Sequence, residues 1–78
     1  MSDYVPIPCI EHERLEFAVL RRQRLDLTWR DANGVEHRDS VLPVDVATRD
    51  GAEWLSLRSE DGALTHLRLD RIVVFAPV

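Results

Sequence analysis

The residues most able to do chemistry gather near the start of the chain. Cys9 and His12 are three positions apart, and Glu13 and Glu16 follow. A thiol beside an imidazole is a nucleophile and its base, and Cys, His and Glu are all metal donors. Neither constellation is complete. A nucleophile pair needs an orienting third group and an oxyanion site, and nothing in the sequence marks them. A zinc site needs about four converging ligands, or three and a water, while His37 and His66 fall on other elements at no metal-like spacing. The expectation is therefore that Cys9 is a small buried apolar residue where the chain enters a helix. The serines (Ser2, Ser40, Ser56, Ser59) lie in no nucleophile motif, and the three glycines, Gly34, Gly51 and Gly62, form no phosphate loop. No catalytic residue, cofactor site or metal site is expected.

With 78 residues, the chain makes one domain, residues 1–78, with a modest core. A lone cysteine forms no internal disulfide, no signal peptide is evident, and no apolar run reaches the roughly 20 residues that span a bilayer. These features point to a cytoplasmic protein without membrane association. The ten basic residues are all arginine, against 14 acidic ones, for a net charge of −4. Nucleic-acid binders usually carry the opposite sign, so RNA or DNA is not the expected direct ligand. An acidic domain suits a partner with a basic surface.

The elements that position these groups follow from periodicity. Pro6 and Pro8 keep Tyr4 to Cys9 extended. A helix follows over about Glu11 to Arg22, with acids early and arginines late, as the helix dipole favours. Leu15, Ala18 and Val19 form its apolar stripe, while Glu13, Glu16, Phe17 and Leu20 gather on another side. That second group suits docking, apolar area ringed by acids. Burial of Phe17 in a wide core contact is an equally open reading.

From Leu25 the period changes to two, with Leu25, Leu27 and Trp29 on one face. Asn33-Gly34 marks a turn. Val35 to Ser40 and the run Val41 to Val46 are β-prone, and Pro43 requires a bulge or an edge. Trp54 to Arg58, Leu64 to Leu69 and Ile72 to Phe75 complete the strands, with turns at Thr48 to Ala52 and Glu60 to Gly62. The fold expected is mainly β: an N-terminal helix, then five or six short antiparallel strands curled into a small, partly open barrel of OB-like or Sm-like type. Trp29 and Trp54 are expected in the core or against the helix. The alternative is a base-stacking platform on a barrel that binds single-stranded RNA directly. Asp70 is expected to fix the turn into the last strand, and Asp45 to do the same before the Thr48 to Ala52 loop.

Several segments, in order, resemble the Rof (YaeO) family of bacterial Rho-binding antiterminators. Tyr4-Val5-Pro6-Ile7-Pro8-Cys9 matches a Tyr-x-Pro-Ile-x-Cys opening. Leu15-Glu16 and Ala18 match Leu-Glu-x-Ala. Asp45, Arg49 and Glu53-Trp54-Leu55 resemble an Asp…Arg…Glu-Tyr-Leu segment, with tryptophan for tyrosine. Asp61-Gly62 and Leu67-Arg68-Leu69-Asp70-Arg71-Ile72 resemble the family's closing segment. The resemblance implies an Sm-like domain that occupies the primary RNA-binding region of the hexameric termination factor Rho and inhibits Rho-dependent termination; the free domain is expected to be monomeric. It implies contact through Glu13 and Glu16 on the helix and Arg49 in a loop. Phe17 and Leu20 beside them, and Asp50 beside Arg49, complete the expected protein-interaction set. The sequence departs from the family at Asp50, where lysine is usual, at Gly51 in place of asparagine, and at Ile10 in place of an acid.

Overall fold

A computed structural model describes residues 3–78 of the chain. Helix α1 spans Cys9–Arg21 and begins two residues before the expected start. Pro8 sits at its N-cap with φ −56° and ψ 142°, and its carbonyl accepts the N–H groups of Glu11 and His12 at 3.0 and 3.1 Å. The Pro8 carbonyl starts the helical hydrogen-bond ladder, and no side chain caps the helix. At the other end Arg22 adopts a left-handed conformation, φ 53° and ψ 44°. The Arg22 N–H donates to Val19 O and the Gln23 N–H to Ala18 O, the paired closure of a Schellman motif. Glycine is the usual residue at that position, so arginine there is strained.

Five strands follow: β1 (Leu25–Arg30), β2 (Glu36–Arg49), β3 (Ala52–Arg58), β4 (Leu64–Arg68) and β5 (Ile72–Pro77), with a short 3-10 turn, Leu69–Arg71, before the last. All pair antiparallel, in the order β4-β3-β2-β1-β5. The result is a five-stranded sheet not closed into a barrel, since β4 and β5 lie at its two ends.

The two β-prone runs on either side of Ser40 are one 14-residue strand. Its first part pairs with β1, Glu36 to Val41, and its second with β3, Leu42 to Arg49. Val44 is the extra residue of a bulge between Pro43 and Asp45. Proline has no N–H to give the ladder, so a bulge there lets one strand serve both halves of the sheet. The β1–β2 turn is held by Asp31, whose carboxylate accepts the N–H groups of Asn33 (2.9 Å) and Val35 (3.0 Å). Asp50 and Gly51 both have positive φ, 53° and 75°, as a two-residue hairpin loop matching the sheet twist requires.

The core is aliphatic. Leu15 and Ala18 from α1 pack with Leu25, Leu27, Val41, Leu55, Leu57, Leu67, Leu69 and Phe75. Tyr4, Ile7, Val19, Trp29, Val46 and Ile72 border it. Asp70, after β4, anchors the extended N-terminal segment as well as its own turn. It accepts the Val5 N–H at 3.1 Å and a forked pair from Arg68 at 2.6 and 2.9 Å. The expected counterpart, Asp45, is exposed at the bulge, and its carboxylate has no hydrogen bond or ion pair among the described residues. Among the described residues, no helix is long and apolar enough to cross a membrane.

Candidate docking face

Because Leu15 and Ala18 point α1 at the sheet, the opposite side of the helix faces solvent. Glu13, Glu16, Phe17 and Leu20 all lie there and together line one shallow concavity. Phe17 is 55% exposed and Leu20 78%. The alternative of a buried Phe17 is thereby excluded. A second shallow depression continues from Glu16 and Leu20 over Val19 to Asp45 and Val46 on β2. Phe17 and Leu20 therefore place apolar surface beside two carboxylates on one side of the helix.

His12 joins the helix to the sheet at this face. Its Nδ1 lies 2.8 Å from Glu16 Oε1, and its Nε2 contacts Glu53 on β3. The two carboxylates approach opposite nitrogens of one ring, so they do not converge on a point where a metal would sit. No group of three or more metal-donor residues is arranged for metal binding among the described residues. Glu53 also borders the N-terminal segment, where burial, followed by the nearby Glu53 and Asp70 carboxylates, raises the pKa of the Tyr4 hydroxyl. The i, i+4 spacing of His12 and Glu16 was visible in the sequence. The approach of Glu53 depends on the fold and had no local signal.

Arg49 and Asp50 stand apart from this concavity, at the tip of the β2–β3 hairpin. Arg49 and Asp50 are exposed, with Nε and Oδ2 4.0 Å apart. The Arg49 guanidinium lies 5.0 Å from the centre of the Trp54 ring, and the Trp54 indole N–H donates to Arg49 O at 3.1 Å. Trp54 is thus half-buried and covered by its own hairpin instead of lying in the core. Trp29 is also half-buried, stacked on His37 with centroids 5.5 Å apart.

The expectation for Cys9 is overturned: it is exposed, because the helix already begins at that residue and turns it outward. Its neighbour His12 is engaged by carboxylates at both nitrogens. One Ser–His pair did emerge from the fold, Ser56 Oγ to His66 Nδ1 at 2.8 Å across β3 and β4. No carboxylate is paired with His66 among the described residues, so the third member of a triad is missing there. Ser2 lies outside the described residues.

No family model and no curated protein matches this chain. Among solved structures it is similar to the proteasome accessory factor B/C (PafBC) of Arthrobacter aurescens, with a TM-score of 0.81 over 97% of this chain and 16% sequence identity. This chain spans 12% of the length of that one. The likeness concerns the fold alone.

Proposed function

We propose that this domain binds the transcription termination factor Rho at its primary RNA-binding region, competes there with RNA and inhibits Rho-dependent termination. The observation that carries the proposal is the helix face on which Glu13 and Glu16 flank the exposed Phe17 and Leu20. A surface built to hold RNA phosphates is basic, and carboxylates beside apolar groups complement it in charge while supplying area to bury. The sequence resemblance to the Rof family names the partner. In the same reading Arg49 and Asp50 form a secondary contact at the hairpin tip, and the domain works in the cytoplasm as a monomer, without catalysis or cofactor. The sheet belongs to the Sm-like, partly open barrel type. The bend of β2 at its bulge, with two half-sheets sharing that strand, supports this assignment.

Direct RNA binding is the weaker reading. Its stacking platform, Trp54, is already covered by Arg49 and hydrogen-bonded to the hairpin. The deciding experiment follows the fluorescence anisotropy of a labelled cytidine-rich RNA bound to Rho while this protein is added, with a parallel titration lacking Rho. A fall to the free-RNA value, with a flat control, is expected. RNA that stays bound at saturating protein overturns competition, and a rise in the control favours the RNA-binding reading.

A further inference from the structure

The solvent side of α1 is divided along its length. At about 100° per residue, Glu13, Glu16 and Leu20 fall on one side of Phe17, and Arg14, Ala18 and Arg21 on the other. On the basic side a cleft opens between α1 and strands β1 and β5. Its floor is the buried Ala18, Leu25 and Phe75, its exposed apolar surface is Phe17 and Pro77, and Arg14 and Arg21 line it from the helix. The Arg14 guanidinium lies 4.6 Å from the Phe75 ring centre, and that of Arg21 5.6 Å from the Phe17 ring centre. Among the described residues neither arginine has a carboxylate within salt-bridge distance. In a chain with 14 acids to ten arginines, two cations held over rings at the mouth of an apolar cleft stand out. A guanidinium stacked on a ring keeps its in-plane N–H donors for another acceptor.

We infer that this cleft is a second docking site, adjoining the acidic face and sharing Phe17 with it, and that it takes an extended acidic peptide segment of a partner protein. Seven residues of helix advance about 10 Å, and in an extended polyproline II segment, with three residues per turn and a rise of about 3.1 Å, positions three apart lie about 9 Å apart on the same side. The matching segment therefore has two carboxylate side chains three positions apart, with an apolar side chain between them for the exposed Phe17 and Pro77 surface. A nucleic acid fits less well, because Glu13 and Glu16 line the adjoining face and repel a longer polyanion. Both flanks of the helix then engage protein, one through acids and one through arginines, and the domain can bridge a basic and an acidic surface.

The test is a titration of the full-length, ¹⁵N-labelled protein with a hexapeptide having Glu-Ala-Phe-Glu at its centre. Controls are the same peptide with glutamine for both glutamates, and an oligouridylate. Amide shifts are expected at Arg14, Ala18, Arg21, Leu25 and Phe75 with the acidic peptide, and not at Glu13 or Leu20. Loss of two charge-assisted contacts in Arg14→Gln/Arg21→Gln should weaken binding by at least about tenfold. Unchanged β3 and β4 resonances establish that this variant is folded, and the milder Arg14→Lys/Arg21→Lys serves if they change. No perturbation at millimolar peptide, equal binding of the glutamine peptide, or occupancy of the cleft by the oligouridylate overturns the inference. Rho is absent throughout, so the result is independent of the competition assay.

Discussion

If the domain binds Rho as proposed, Glu13→Arg and Glu16→Arg should weaken that binding by different amounts. The Glu13 carboxylate is exposed and has no ion-pair partner among the described residues, so all of its charge is available to a basic surface. Glu16 is 2.8 Å from His12, whose other nitrogen meets Glu53. To contact a partner, Glu16 must share or release that ring. A hydrogen bond to a charged group contributes about 1.5–3 kcal/mol, and an exposed ion pair about 0.2–1 kcal/mol. Reversal at Glu13 should then cost about 2–3 kcal/mol of binding, roughly 30- to 150-fold in affinity. Reversal at Glu16, with the lost His12 contact subtracted, should cost about 1–2 kcal/mol, roughly 5- to 30-fold. Exposed substitutions of this kind change folding stability by only about 0.5 kcal/mol, so the two effects separate. In a His12→Ala background the Glu16→Arg loss should rise to match that of Glu13→Arg. Calorimetric titration of each variant into Rho measures all three. Equal losses in the wild-type background would refute the role given to His12. No loss in either variant would refute the acidic face as the contact.

Three further outcomes are expected. Leu15 is fully buried under the sheet, so Leu15→Ala should destabilise the fold by about 2–5 kcal/mol, read as a fall of about 4–8 °C in Tm per kcal/mol by calorimetry. Arg22→Gly relieves the left-handed strain at the helix end and should raise stability by up to about 1 kcal/mol in urea titrations. Asp3, Asp31 and Asp61 are held below the usual carboxylate range chiefly by the Arg68 guanidinium, His37 and the Ser59 hydroxyl, respectively. Groups lowered in the folded state add stability above their unfolded pKa of about 3.9 and lose it as pH falls through the folded values. Stability should therefore be level with respect to these groups above about pH 5 and fall below about pH 4 in a pH series of denaturant unfolding, with a shallower fall in Asp31→Asn.

The order of elements was legible because period and punctuation are local. Two prolines, a 3.6-residue stripe, then period two broken at Asn33-Gly34, Gly51 and Gly62 locate a helix followed by five or six strands, of which the structure has five. Pro43 in a strand left a bulge or an edge open, and the structure has the bulge. What the sequence hid was continuity across it: Pro43 and the polar run before Val41 look like a break, and only pairing with two different strands makes them one element. The start of α1 was misplaced because Pro8 at its N-cap has no capping side chain to mark the boundary in the sequence, and the burial expected of Cys9 failed with it. The helix part of the docking group was readable, since all four of its members share one side of one element. Glu53 was not, as its approach to His12 is set by how α1 lies on the sheet. Trp54 was misread for a related reason: its covering group, Arg49, is brought back to it by the hairpin.

The bent strand has a consequence for how the domain opens. Every hydrogen-bonded route from the β4 edge to the β5 edge passes through β2, on both sides of Val44. Neither half-sheet can detach while that strand stays ordered, and once it frays both halves lose a neighbour. Amide protons of β1 and β3 should therefore exchange with solvent at closely similar protection, as one cooperative unit. A single residue inserted or deleted at the bulge would shift the pairing of one half against the other, and would carry the helix face off its bearing without touching any residue on it.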